Sequence, residues 1–243
     1  MTAAELSPRF DGQSVVVTGV GRAGQLGEVV ARDFGRRGAK VSIIDRDRVL
    51  AEERAAALRS EGLAVVAYAC DLTDADATMA VAAQISAASN GLVHALANVA
   101  GGFAMSGPVA ESDPQIFQRQ LGINLGSAYG ATRAFLPALR AARGSIVFMA
   151  AAAVLPGGKV AGMSGYAASK AGVIALMQAV AQEEEKHGVR ANALAPTAIR
   201  TGMNEEALGS DRKYVERESV AAMIAMLCSP TAGNVTGQVI TLA

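Results

Sequence analysis

Short runs of apolar, often β-branched residues alternate along this chain with longer stretches whose apolar positions recur at helical spacing. The runs occupy 14–18 (Ser-Val-Val-Val-Thr), 40–44, 63–69, 94–99, 145–149, 191–194 and 239–241. Between them, 28–37, 48–61, 78–88, 114–139 and the stretch from Tyr166 to Ala181 read as helices, the last ending in the polar cluster 183–187. Strands that are apolar at nearly every position are buried on both faces, which in an alternating chain means a parallel sheet with helices on either side. The predicted fold is therefore α/β, a doubly wound parallel sheet of about seven strands. No linker, repeat or low-complexity tract interrupts the pattern, so residues 1–243 are expected to form a single domain.

The first strand, helix and second strand enclose the segment Gly19-Val-Gly-Arg-Ala-Gly-Gln-Leu-Gly27. A glycine-rich turn here lets the backbone approach a pyrophosphate, which sits where the free N–H groups of a helix start point outward. The unit predicts a Rossmann fold that binds a dinucleotide, with Gly19, Gly21, Gly24, Leu26 and Gly27 in the cofactor loop. Asp45 ends the second strand, where a carboxylate accepts from both ribose hydroxyls of an adenosine and repels a 2′-phosphate. Arg22 and Arg46 pull the other way, toward a 2′-phosphate. Because Asp45 lies closest to the ribose edge, NAD(H) is favoured, with NADP(H) the alternative.

Composition narrows the partners. Lys plus Arg equal Asp plus Glu at 22 each, and 51% of residues are hydrophobic. Neither nucleic acid nor a membrane surface is an expected partner of so balanced a chain. No apolar run approaches the roughly 20 residues of a membrane span, and residues 1–10 lack a basic-then-apolar export pattern, so a cytoplasmic location is expected. Cys70 and Cys228 form no metal or disulfide pattern and read as buried thiols; no metal site is expected. His94 reads as a buried, partner-bonded histidine, His187 as a helix C-terminal residue, and Glu183-Glu-Glu185 as a solvated helix face. Met223, Ile224, Met226 and Leu227 read as an apolar helix patch, packed in the core by default and a subunit interface otherwise.

Tyr166-Ala-Ala-Ser-Lys170 is the stretch that carries candidate chemistry. Residues four apart share a helix face, so the Tyr166 phenol and the Lys170 ammonium meet. A phenol titrates near about 10, and a nearby cation lowers that value and makes the phenol a usable acid and base. Alone, the spacing is common on surface helices.

With these pieces in order, the chain resembles the short-chain dehydrogenase/reductase family along essentially its whole length. Thr18-Gly19 and Leu26-Gly27 look like the ends of the family's cofactor loop. Asp71-Leu72 resembles its adenine-contacting pair. Asn98-Val-Ala-Gly101, including Ala100, resembles the segment that supports the sheet and lines the cofactor cleft. Asn124 matches the helix Asn whose carbonyl holds a relay water, and Tyr166 and Lys170 match the catalytic pair. Pro196 and Thr201 match positions after the sixth strand that meet the nicotinamide end. The resemblance implies hydride transfer between a nicotinamide and a carbonyl or secondary alcohol, free or carrier-bound, with Tyr166 exchanging the proton and Lys170 holding the ribose. It also implies a homodimer or homotetramer.

Departures from that pattern are local. Where the family carries a Ser that bonds the substrate oxygen, this chain has Ala150-Ala-Ala-Ala153, with Ala151 nearest the matching place. Ser164 is the nearest hydroxyl and reads as a turn or capping residue. The glycine loop is longer by about two residues, Thr197 replaces the usual Gly, and the segment from Thr201 to Val220 is short. A short lid implies an open cleft suited to a bulky or carrier-bound substrate. The missing Ser leaves a second expectation open: a cofactor-binding protein without redox activity, serving as a partner subunit or in non-redox proton transfer.

Overall fold

A computed structural model describes residues 8–209 and 211–243; part of the amino-terminal stretch read above for an export pattern (residues 1–7) lies outside them. Seven strands form one sheet: β1 (Ser14–Thr18), β2 (Lys40–Asp45), β3 (Val65–Ala69), β4 (Ala95–Asn98), β5 (Ser145–Met149), β6 (Arg190–Pro196) and β7 (Val239–Leu242). Their order is β3-β2-β1-β4-β5-β6-β7 and every pairing is parallel. The chain builds outward from β1 in one direction, then returns to lay β4 on its other side. That reversal opens a crevice above the carboxyl ends of β1 and β4, the place where doubly wound sheets bind ligands.

Alternation along β1 shows why the sheet is covered twice. Val15 and Val17 face a core shared with α1 (Leu26–Arg36), α2 (Arg48–Ser60) and α8 (Arg217–Cys228). Val16 faces the opposite core, built with α3 (Ala75–Ala88), α5 (Ser127–Ala142) and α6 (Ser164–Glu183). Successive strand residues point to opposite faces, so an uninterrupted apolar run must bury both. The predicted strands and helices recur within a few residues. Asp47 caps α2 by accepting from Val49 N and Leu50 N (3.0 and 3.1 Å), and Asp74 caps α3 through Ala77 N (3.0 Å). Cys70 and Cys228 are buried and free, and burial pushes both thiols up. His94 accepts from Ser14 N at 3.2 Å, a partner-bonded histidine as its sequence position suggested. No helix among the described residues is long and apolar enough to cross a membrane.

Two readings need correction. The region expected as one helix over 114–139 is three pieces: α4 (Pro114–Gln120), a π-helical turn (Leu121–Gly126) and α5, which runs on to Ala142. Apolar spacing reports which face is buried; it does not report a switch of hydrogen-bond register. Nor is the Glu183–Glu185 cluster uniformly solvated. Glu184 has a side chain only 2% exposed and accepts two bonds from Arg140 of α5, at 2.7 and 2.6 Å. Its partner lies 44 residues away, beyond the reach of a local reading. Of the methionine-rich patch, Ile224 and Leu227 join the core while Met226 remains partly exposed.

The Arg140 bonds hold the Glu184 carboxyl below its ordinary value, more than offsetting its desolvation. A depressed carboxylate contributes stability above its unfolded pKa and loses it as pH falls through the folded value. Glu184→Gln is expected to cost about 2 kcal/mol at neutral pH. The gap between the two proteins should begin to narrow as pH falls below about 4.3 and close once the lowered folded value is passed, as urea unfolding curves from pH 7 downward will show.

Candidate active site

The carboxyl ends of β1, β4, β5 and β6 carry the residues singled out from the sequence. At β1, the Thr18 hydroxyl accepts from Val99 N and Ala100 N, both at 3.0 Å, and so ties the start of the glycine loop to the end of β4. Close approach then dictates composition. A Cβ on Gly27 would stand 2.2 Å from the Gly19 carbonyl oxygen, and one on Gly21 would stand 2.8 Å from the Asp45 carboxylate. At Gly27 the obstacle is backbone, which cannot give way; at Gly21 it is the Asp45 carboxylate, which a side chain would push aside. The second distance shows the Asp45 carboxylate lying against the middle of the loop, where it accepts from Asp47 N at 3.1 Å.

The lengthened part of the loop is braced from two sides. Gly24 N–H donates to Glu28 Oε2 at 2.6 Å, and the Gly24 carbonyl accepts from Arg217 Nη1 at the start of α8. Glu28 is itself buried and bonded by Arg32 Nη2 (2.8 Å) and Arg54 Nη1 (3.4 Å). Desolvation alone would raise its pKa; the Gly24 amide and the two guanidinium groups reverse that and hold it down. Neither Glu28 nor Arg217 was singled out by the sequence reading. Glu28 had a local signal, four residues after Gly24 in the first turn of α1, whereas the Arg217 contact spans 193 residues.

Asp71 and Leu72 follow β3. The Asp71 carboxylate is exposed and bonded by the Thr73 hydroxyl and N–H (2.7 and 2.9 Å), which together with Arg46 lower its pKa, while Leu72 is buried. Asn98 turns its amide into the body of the protein, donating to Thr132 Oγ1 on α5 at 3.0 Å. After it, Gly101 and Gly102 pass directly over Asn124 of the π turn. Asn124 is 1% exposed and reads the Gly102 backbone twice, accepting from its N–H and donating to its carbonyl, each at 3.0 Å. A Cβ on Gly101 would lie 2.5 Å from Asn124 Oδ1 and 3.6 Å from Lys170 Nζ. Three sequence motifs that are distant along the chain thus meet at one glycine.

Tyr166 and Lys170 share a face of α6, with the ammonium 5.8 Å from the centre of the phenol ring. Lys170 is 6% exposed and donates to the Met149 carbonyl at 2.7 Å. Burial lowers its pKa to about 8 and raises that of Tyr166 to about 12. The sequence led us to expect a depressed Tyr166; in the chain alone desolvation wins, because the cation meant to depress it is itself desolvated and spent on a carbonyl. Ala150 and Ala151 are buried beside this pair, and Ser164 neither occupies their place nor caps the helix. It is the first residue of α6, after Met163, and its hydroxyl lies 3.4 Å from Ser106 Oγ. Pro196 is buried at the end of β6, paired with Leu242, and Thr201 caps α7 (Gly202–Leu208) through Asn204 N at 3.2 Å. Phe103, also not singled out, sets its ring edge-on to Tyr166 at 5.0 Å and 87°.

The family profile described as short chain dehydrogenase matches residues 13–211. The chain belongs to the short-chain dehydrogenase/reductase family. Among its relatives, 2-(S)-hydroxypropyl-CoM dehydrogenase 3 of Xanthobacter autotrophicus is 32% identical, the alignment covering 96% of this chain and 95% of that protein. The (+)-borneol dehydrogenase 1 of Salvia officinalis is also 32% identical, over 99% and 86%. A solved short chain dehydrogenase from Mycobacterium smegmatis superposes with a TM-score of 0.84 at 32% identity, covering 96% of this chain and 92% of that one. Membership places the chain among the NAD(P)(H)-dependent oxidoreductases.

Removing one support of the loop tests its construction. Arg217→Ala frees the Gly24 carbonyl and is expected to raise the Kd for the reduced nicotinamide dinucleotide about tenfold, the worth of one charge-assisted bond. Nicotinamide fluorescence titration measures this, and circular dichroism should show the fold retained.

Proposed function

We propose that the protein is an NAD(H)-dependent dehydrogenase that interconverts a secondary alcohol and a ketone, with Tyr166 exchanging the proton. The observation that carries this reading is the meeting of Gly101, Asn124 and Lys170 beneath Tyr166. A buried lysine and a buried phenol on one face, beside a crevice whose loop excludes side chains, form a fitting receptacle for a dinucleotide. The loop from Gly19 to Gly27, through Gly21, Gly24 and Leu26, would hold the pyrophosphate; Asp45 the adenosine ribose; Asp71 and Leu72 the adenine; and Lys170 the nicotinamide ribose. Asn98, Ala100 and Gly101 shape the floor, and Pro196 and Thr201 border the nicotinamide end. When bound, the nicotinamide supplies or accepts the hydride.

The residues of the chain then divide the remaining work. Tyr166 gives a proton to the ketone oxygen or takes one from the alcohol. Asn124 fixes the backbone under the pair through Gly102 and keeps a π turn, whose shifted register departs from the regular helical ladder, next to Lys170. The preference for NAD(H) rests on geometry at the adenosine end. Asp45 faces the loop at Gly21, where a 2′-phosphate would meet its charge. Of the two arginines nearby, Arg22 is engaged with the Met203 sulfur at 3.2 Å, and Arg46 lies on the Asp71 side, near enough to lower that carboxyl's pKa. The dehydrogenase and reductase names of the relatives favour this reading over a protein without redox activity.

Among the described residues Ser106 and Ser164 face each other, and no side-chain hydroxyl bonds to the Tyr166 phenol. A missing oxyanion donor costs on the order of 3 kcal/mol, so the intrinsic rate is expected to be modest. The test is a titration with NADH and NADPH, followed by turnover of a carbonyl panel. NADH is expected to bind at least about tenfold tighter than NADPH, with Asp45→Ser narrowing the gap. Tyr166→Phe should lower kcat by about a hundredfold or more while NADH binding holds. Equal affinity for both nucleotides would remove the role given to Asp45, and full activity in Tyr166→Phe the role given to the phenol.

A further inference from the structure

Three of the segments beside Tyr166 are almost devoid of polar side chains, and the buried Gln120 of α4 behind them is bonded to Asn124. Across 100–106, 150–156 and 160–166, side-chain nitrogen or oxygen occurs only at Ser106, Ser164 and Tyr166 itself. The two serines face each other, and Ser106 Oγ also reaches the Gly162 carbonyl at 3.3 Å. The same carbonyl accepts from Ser106 N (2.8 Å) and Gly107 N (3.1 Å), which stitches the segment after β4 to the turn before α6. Along that seam large apolar groups stand in the open: Phe103 is 49% and Met105 56% exposed, and Val160 is 41% exposed. Phe103 is the one that touches the phenol. Where a serine hydroxyl would point at the substrate oxygen, Ala151 offers a methyl group.

A site with this lining discriminates by what it lacks. Each hydroxyl of a polyol or sugar that leaves water here finds few side-chain partners, the two serines being already bonded to each other and to Gly162, and an unpaired polar group is costly to bury. An apolar ring or branched hydrocarbon body instead covers Phe103 and Met105, which are otherwise wetted. We propose that this site selects a substrate with an apolar, preferably cyclic, body around its carbinol or carbonyl carbon and rejects one with neighbouring hydroxyls. The proposal rests on the dehydrogenase reading above. In the oxidation direction the carbinol carbon gives its hydride to NAD⁺ and the hydroxyl gives its proton to the Tyr166 phenolate, so that alcohol, NAD⁺ and phenolate become ketone, NADH and phenol, and the phenol then releases the proton to solvent.

Cyclohexanol and myo-inositol share a six-carbon ring and differ only in hydroxyls, and 1-indanol adds apolar area. With saturating NAD⁺, kcat/KM is expected to rise from myo-inositol to cyclohexanol to 1-indanol, with at least about tenfold between the first two. Phe103→Ser should lower kcat/KM for 1-indanol by about tenfold through KM, with NADH affinity kept. Met105→Ser should do the same more weakly, as a control against a misfolded Phe103 variant. In parallel, 1-indanone and myo-inositol are titrated into the NADH-loaded protein and read by nicotinamide fluorescence. Saturable 1-indanone binding without turnover of any alcohol would sink the dehydrogenase reading and leave the apolar selectivity standing. Inositol matching or exceeding cyclohexanol, no 1-indanone binding up to its solubility limit, or indifference of 1-indanol to Phe103→Ser would each overturn the inference.

Discussion

The bond from the Lys170 ammonium to the Met149 carbonyl is the contact on which the site depends. It fastens α6 to the end of β5, and at 2.7 Å it partners a cation that the sheet and helix have stripped of water. A buried charge survives only where it is paired or hydrogen-bonded. Here burial shows as a pKa lowered to about 8, and the same burial raises Tyr166 to about 12. In the proposed mechanism the phenol therefore waits protonated beside a cation, ready to give a proton but not to take one, and the electrostatic environment of an occupied crevice lowers its pKa.

The rest of the crevice is held with comparable economy. Thr18 joins two strand ends, Asn124 bonds twice to one peptide, and Glu28 with Arg217 grips the glycine loop by a single residue from both sides. Each contact fixes backbone and leaves space open. That suits a site whose ligand would be long, flexible and charged, since rigid surroundings reduce what binding costs in ordering the protein. An extra two residues or so in the loop, which a sequence comparison alone would count as a defect, are compensated by these braces.

Much of this was legible along the chain. Strands such as 14–18 announce themselves because a sheet covered on both faces needs apolar residues without alternation. Asp45 was legible because strand ends point at the crevice, and Tyr166 with Lys170 because helical spacing is short-range geometry. What stayed hidden depends on distance or on competition. The π turn leaves the apolar pattern intact; Glu184 finds its partner 44 residues away; Arg217 finds Gly24 across 193. The expectation for the Tyr166 pKa had the correct partner and the wrong balance, because spacing shows that a cation is near but not how deeply both groups are buried.

The most direct test of the account is the ionisation of Tyr166, followed as tyrosinate absorbance at 295 nm in the protein and in Tyr166→Phe, with and without saturating NAD⁺. Without the nucleotide, the account predicts no difference between the two proteins up to about pH 10.5, because a phenol held near 12 is still neutral there. With NAD⁺, a step belonging to Tyr166 should appear at least about one pH unit lower than in its absence. A Tyr166 step at or below about pH 10 in the nucleotide-free protein, or one that NAD⁺ leaves in place, would contradict the claim that burial holds the pair apart until the crevice is filled.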